Sequence, residues 1–245
     1  IHRLAGRARP SGWAYGPQMT PDAALAQLQA MADPARAAQM RAYHKQTRAV
    51  LGLSNATTGD LAAQWRTGLA PEALVALAQG LWASDIFDAR ILAGKLLLQA
   101  RIRPDDAAVW SCITGFVADF DSWAIADAVA QGGQKRLLQD PSRLDTLEGW
   151  ITSDHMWTRR AALVFSLPFT KARHPGMTEA AARARILGWC ATLAPDRDRF
   201  IQKAIAWWLR DLSRREPETV GLWLATHGST LKPFARTEAA RHLGP

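Results

Sequence analysis

The sequence predicts an all-α chain, built as a solenoid of antiparallel helix pairs, and three observations carry that prediction. Nearly every segment after Thr20 has helical periodicity, Ala, Leu, Arg and Gln are abundant while β-branched runs are scarce, and breaking residues recur at short intervals. No convincing strand pattern is present. Helices of roughly ten to seventeen residues joined by short turns fit a helical array and not a βαβ protein.

In chain order, residues 1–20 open with the basic run Ile1 to Pro10, which has no apolar signal core and is expected to be a flexible arm or a sequence remnant. Residues 21–245 are expected to form one domain. Within them the punctuation falls at Pro21, Asp33-Pro34, Ser54-Asn55, Ala70-Pro71, Pro104-Asp105, Asp121-Ser122, Gly132-Gly133, Asp140-Pro141, Pro175-Gly176, Pro195-Asp196, Pro217 and Pro233. Each such cluster should end one helix or cap the next.

Three segments begin with a basic residue followed by small and large apolar ones: Arg90-Ile91-Leu92-Ala93, Arg160-Ala161-Ala162-Leu163 and Lys203-Ala204-Ile205-Ala206. Their spacing is compatible with a two-helix repeat of roughly 35 to 47 residues, the range of HEAT and armadillo units. Stacked helix pairs curve, and the concave side is an extended binding surface.

Composition narrows the function classes. The 245 residues are 48% hydrophobic and 21% charged, as in a globular protein. No tract of some eighteen apolar residues is present to span a bilayer, so no membrane association is expected. The two cysteines, Cys112 and Cys190, have no zinc-type spacing; they read as core residues in a reducing cytoplasm. The six histidines lack an H-E-x-x-H pattern, so no metal or cofactor is expected.

The net charge of +8 is unevenly placed. Residues 1–154 carry 15 Lys+Arg against 15 Asp+Glu, whereas residues 155–245 carry 15 against 7. A localised positive field attracts polyanions such as nucleic acid, although a well-solvated surface would look the same.

The segment from Phe200 to Arg215 separates into two faces by arithmetic. Ile201, Ile205, Trp208 and Leu212 form an apolar stripe at i, i+4, i+7 and i+11. Lys203, Trp207, Arg210 and Arg214 repeat that spacing two residues later, about 200° around the helix. One tryptophan therefore sits among three cations away from the core stripe, unless it packs on the next helix. The segment after Asp121-Ser122 is similar: Ile125, Ala128 and Val129 are apolar, while Trp123 and Asp127 share the opposite side one turn apart. In the third segment Arg160 lies on the side of Met156, Leu163 and Leu167, which leaves burial beside an acid open, while Arg159 reads as more solvent-facing.

At these residues the chain resembles the AlkD family of alkylpurine DNA glycosylases. The resemblance is carried by the run from Phe200 to Arg210, which continues through Pro217 to Leu231 and the Thr237 to Leu243 end. Further matches are Trp157-Thr158-Arg159-Arg160-Ala161-Ala162, the Trp123 to Asp127 segment, and Arg41-Ala42-Tyr43-His44-Lys45 followed by Leu51-Gly52-Leu53. The segment from Lys171 to Glu179 is longer than usual, and Trp208 and Ala124 alter neighbours of the matched residues.

The resemblance implies a HEAT-like solenoid with a concave DNA-binding face. It assigns Trp123, Asp127 and Trp207 to the catalytic aromatic cleft and carboxylate, and Arg160 to a phosphate contact. Arg159, Lys203, Arg210, Arg214, Tyr43 and Lys45 are the other candidate DNA-binding residues. The implied activity is monofunctional hydrolysis of the N-glycosidic bond of cationic alkylated purines in double-stranded DNA, without base flipping, by a cytoplasmic monomer that associates with the nucleoid when bound. A non-catalytic helical-repeat module that binds nucleic acid or protein is the alternative; a carboxylate in an aromatic cleft argues against it, because the charge would weaken DNA binding.

Overall fold

The computed structural model describes residues 19–244. Residues 1–18, most of the expected arm, lie outside the described residues. Thirteen α-helices occur among the described residues: α1 (Pro21–Ala30), α2 (Pro34–His44), α3 (Asn55–Arg66), α4 (Pro71–Ala83), α5 (Phe87–Leu96), α6 (Ala107–Phe116), α7 (Trp123–Gln139), α8 (Leu144–Trp150), α9 (Met156–Phe165), α10 (Met177–Leu193), α11 (Arg199–Ser213), α12 (Pro217–His227) and α13 (Pro233–Ala239). The chain is all-α; the strand-like pairing among these residues is an isolated parallel bridge between Ala49 and Ile86.

The punctuation acts through identifiable caps. Thr20, Asp33 and Ser54 each accept a hydrogen bond from the backbone N–H three residues on, which satisfies donors that the first turn leaves free. Proline occupies the first turn of α1, α2, α4, α12 and α13, where its missing N–H costs nothing.

One expected break is absent. Gly132-Gly133 lies inside α7, which continues for 17 residues. The glycines serve close packing: a Cβ at Gly133 would stand 2.3 Å from Cε2 of Phe165 on α9, and one at Gly132 would stand 3.0 Å from the carbonyl oxygen of Leu97. Gly94 on α5 plays the same part, since its Cβ would meet the backbone nitrogen of Val129 at 2.8 Å. Helical hydrogen bonding tolerates glycine when tertiary packing offsets its weak propensity, so the pair marks a tight crossing and not a turn.

The helices α3, α5, α7, α9, α11 and α13 form one continuous row, each packed on the next. Against that row, α4 pairs with α5, α6 with α7, α8 with α9, and α12 with α11. Side chains join residues 37 apart at Arg48–Asp85, Thr58–Lys95, Trp82–Asp119, Arg143–Asp106 and Arg159–Asp196. This separation falls within the roughly 35 to 47 residues that the sequence suggests for a two-helix repeat. Arg90, Arg160 and Lys203, which open similar segments, all lie in this row, on α5, α9 and α11.

The apolar stripe of α11 is sealed, with Ile201, Ile205, Trp208 and Leu212 at 0% exposure. Cys112 and Cys190 are both buried and unbridged, and burial pushes the Cys112 thiol up to about 12. Neither is a thiolate at neutral pH, which fits a core role. Among the described residues no helix is long and apolar enough to cross a membrane.

Candidate active site

The site is built where α7, α9 and α11 lie side by side. Ser122 precedes α7 in an extended conformation, so Trp123 is its first helical residue and Asp127 follows one turn later on the same side. Asp127 is partly open. Its Oδ1 accepts a hydrogen bond from Nη1 of Arg160 at 2.7 Å, and Arg160 is almost sealed, with 2% of its side chain exposed against 32% for Asp127.

Two indoles flank that arginine. Its guanidinium carbon lies 5.6 Å from the Trp157 ring and 5.5 Å from the Trp207 ring, within the range of cation–π attraction. Asp127, Arg160 and Trp207 are thereby connected across three consecutive helices of the row. Burying an arginine is costly unless its charge is compensated. Here one carboxylate and two aromatic faces do so.

On the N-terminal side of Asp127 a cleft of about 380 Å³ opens between α2, α3, α5 and α7. Trp123 and Asp127 line it together with His44, Phe87, Lys95 and Asn55. Trp207 is not among its lining residues and reaches the site through Arg160. The Trp123 ring stands 5.0 Å from that of His44 and edge-on to Tyr43 at 6.2 Å. Tyr43 itself is 72% exposed.

Several of these groups carry no role in the sequence reading. Asp88, buried, accepts from the backbone N–H groups of Leu51 and Leu53 at 2.7 and 2.8 Å and so holds the Leu51-Gly52-Leu53 loop against the cleft. Lys95 donates to the Asn55 carbonyl, the Asn55 side chain and Thr58, each at 2.7 Å. Burial lowers its pKa, opposed in part by Asp60. The available signal was their spacing: Asp88, Ile91 and Lys95 share one face of α5 at i, i+3 and i+7.

The candidate DNA contacts divide sharply. Arg159 is not solvent-facing as periodicity suggested: it bonds Asp196 at 2.9 Å and the carbonyls of Ser153 and Asp154 at 2.7 and 2.9 Å. Asp196 precedes α11, so the pairing depends on how α9 and α11 stack. Arg210 is likewise committed, to Asp211 and Glu238. Burial works against the charge of Asp211, but Lys171 and Arg210 outweigh it and hold this carboxyl below its usual range. Lys45 and Arg214 are exposed and Lys203 half-buried, and none of the three has an ion-pair partner among the described residues.

A family model of DNA alkylation repair enzymes matches residues 24–243. The chain belongs to that family. The match spans every element that forms the site, from α2 to α13, and gives the protein a DNA repair role with DNA as its partner. No match is found among curated proteins. Among solved structures, a protein of Enterococcus faecalis described as a predicted DNA alkylation repair enzyme is similar at 22% identity, with a TM-score of 0.70 over 87% of this chain and 97% of its own. AlkD2 from Streptococcus mutans is similar at 17% identity, with a TM-score of 0.59 over 85% of this chain and 98% of its own. At such identities the likeness speaks to the all-α fold. Among the described residues, no three or more His, Cys, Asp and Glu side chains gather as a metal site.

Proposed function

We propose that the protein is a monofunctional DNA glycosylase that hydrolyses the N-glycosidic bond of cationic alkylated purines, of the 3-methyladenine and 7-methylguanine type, in duplex DNA. The observation that carries this reading is the pairing of Asp127 with a buried arginine, in a cleft that also holds the indole of Trp123. A purine alkylated on a ring nitrogen departs neutral and needs no general acid. What must be stabilised is the positive charge that develops on the deoxyribose.

Asp127 supplies the compensating negative charge and a hydrogen-bond acceptor for the attacking water. Arg160 holds one carboxylate oxygen in place, leaving the other for the sugar or the water. Trp123 offers a π-face whose attraction grows as the sugar becomes cationic, which favours the transition state over the bound substrate. Trp207 supports the arrangement through Arg160 and closes its far side. Lys45, Lys203 and Arg214 are the proposed phosphate contacts, an affinity term without sequence information. Gripping the backbone in this way leaves the lesion stacked and needs no base flipping, as the family resemblance implies. The protein works as a cytoplasmic monomer that joins the nucleoid by binding DNA.

The test is release of 7-methylguanine or 3-methyladenine from methylated duplex DNA, by purified protein without added metal, beside the Asp127→Asn variant. Intact lesions after prolonged incubation with excess protein would favour a binding module instead.

A further inference from the structure

We propose that His44 is a positioning residue for Trp123 that must be neutral for excision, so that it sets the acid limit of the reaction. This inference rests on the glycosylase reading above. His44 is the last residue of α2, and the chain leaves it through Lys45 in a left-handed conformation, with φ at 52°. That turn directs the imidazole into a slot between two rings, 4.9 Å from Phe87 and 5.0 Å from Trp123. The exposed ring of Tyr43 closes the slot edge-on, 4.9 Å from His44. His44 and Trp123 both line the cleft, so the imidazole supports the indole at the cleft wall.

The two ring nitrogens of His44 are unequal. Nδ1 is buried and has no hydrogen-bond partner. In the imidazolium both nitrogens carry a proton, and the one on Nδ1 would have no acceptor, a cost that the neutral Nε2–H tautomer avoids. Burial accordingly lowers the pKa of His44, with Asp88 acting in the opposite direction.

The surrounding charges are mixed. Asp88 and Lys95 come from α5 and Asp127 from α7, whereas α3 brings only Asn55 and Thr58 to the cleft. Each oxygen of Asp88 already accepts one hydrogen bond, from the Leu51 and Leu53 N–H groups. Arg41 on its own helix and Lys45 just beyond it oppose a further positive charge, while the dipole of α2 favours one at its C-terminus.

The functional consequence follows from the quadrupole of indole. A neutral imidazole buttresses Trp123 by contact alone. An imidazolium at the same distance engages the π-electrons of Trp123 and repels a cationic sugar held in the cleft that both rings line, so both effects act against the transition state. Alkylated purines carry a fixed charge, so their own protonation does not produce this limb.

The experiment follows the His44 ring carbons by NMR across pH, assigned by loss of the signal in His44→Phe, and measures single-turnover excision by both proteins after subtraction of spontaneous base loss. His44→Phe keeps a ring in the slot and removes the titration. The expected midpoint for His44 lies below its ordinary value of about 6.5. The wild-type rate should fall through that same midpoint, by about threefold or more between about pH 8 and about pH 5, whereas in His44→Phe this ratio approaches one. A midpoint at or above the ordinary value, or an unmoved acid limb in His44→Phe, overturns the inference while leaving the glycosylase reading intact. Absence of excision by the wild type at every pH overturns both.

Discussion

Arg160 donates to Asp127 across 2.7 Å from a position almost closed to solvent, so the carboxylate proposed for the chemistry is held by a cation that DNA cannot easily take away. The pair joins α7 to α9, and the guanidinium then lies against Trp207 on α11. Position and charge at the site are therefore properties of the helix row and not of any one segment.

Replacing Asp127 by Asn keeps the side-chain shape and removes the charge. Excision should fall by about 10²–10³-fold, the usual effect of losing one preorganised electrostatic group. Affinity for undamaged duplex should hold or rise, because an anion facing phosphates is gone. Single-turnover excision and binding isotherms measure the two separately, and an unchanged excision rate would remove Asp127 from the mechanism.

The salt dependence of DNA binding distinguishes two classes of cation. Lys203 has no ion-pair partner among the described residues, so Lys203→Ala should lower the magnitude of the slope of log K against log salt by about 0.9. Arg160 is sealed and neutralised by Asp127, so Arg160→Ala should leave the slope as it was while weakening excision and lowering stability. A slope change of about one ion for Arg160→Ala would show that its guanidinium reaches a phosphate after all.

Gly94→Ala tests the close approach of α5 and α7. Helix propensity alone predicts a gain of about 1 kcal/mol. The added Cβ, however, would stand 2.8 Å from the Val129 nitrogen and 2.9 Å from the Ala128 carbonyl carbon, where only movement of a whole helix gives relief. Overpacking should win and destabilise the protein by about 1–3 kcal/mol in denaturant titrations. Stabilisation would mean that the two helices can separate freely.

Asp106 predicts a pH dependence of stability. Its hydrogen bond to Arg143 holds the carboxyl below its usual value against the effect of burial, with the charges of Arg143 and Arg136 adding to the shift. Because the native pKa is depressed, the stabilisation is complete above the unfolded value of 3.8 and is lost as pH falls through the native one. Asp106→Asn should therefore cost about 3 kcal/mol at neutral pH, since it leaves the buried Arg136 without its carboxylate. That difference should shrink as pH drops below the unfolded value; thermal melts at neutral and strongly acid pH measure it, and a constant difference would deny the linkage.

Much of the fold is legible without coordinates because helix starts and amphipathic stripes are local. Thr20, Asp33 and Ser54 cap by bonds within their own first turn, and the apolar stripe of α11 is buried as its spacing requires. The shared face of Trp123 and Asp127 is local in the same sense, being one turn of one helix. Gly132-Gly133 was misleading for a physical reason: glycine both breaks helices and lets them touch, and only the arrival of Phe165 decides which.

The sequence by itself determined where most of the helices begin, which stripe of α11 is apolar, and that an indole and an acid share one side of α7. Tertiary structure decided the fate of the arginines, because an acid reaches each from far along the chain, 33 residues away for Arg160 and 37 for Arg159, while Arg210 adds Glu238, 28 residues on, to its neighbour Asp211. Periodicity assigns a side chain to a face. Whether that face meets water, a phosphate or a carboxylate depends on what the neighbouring repeat brings to it.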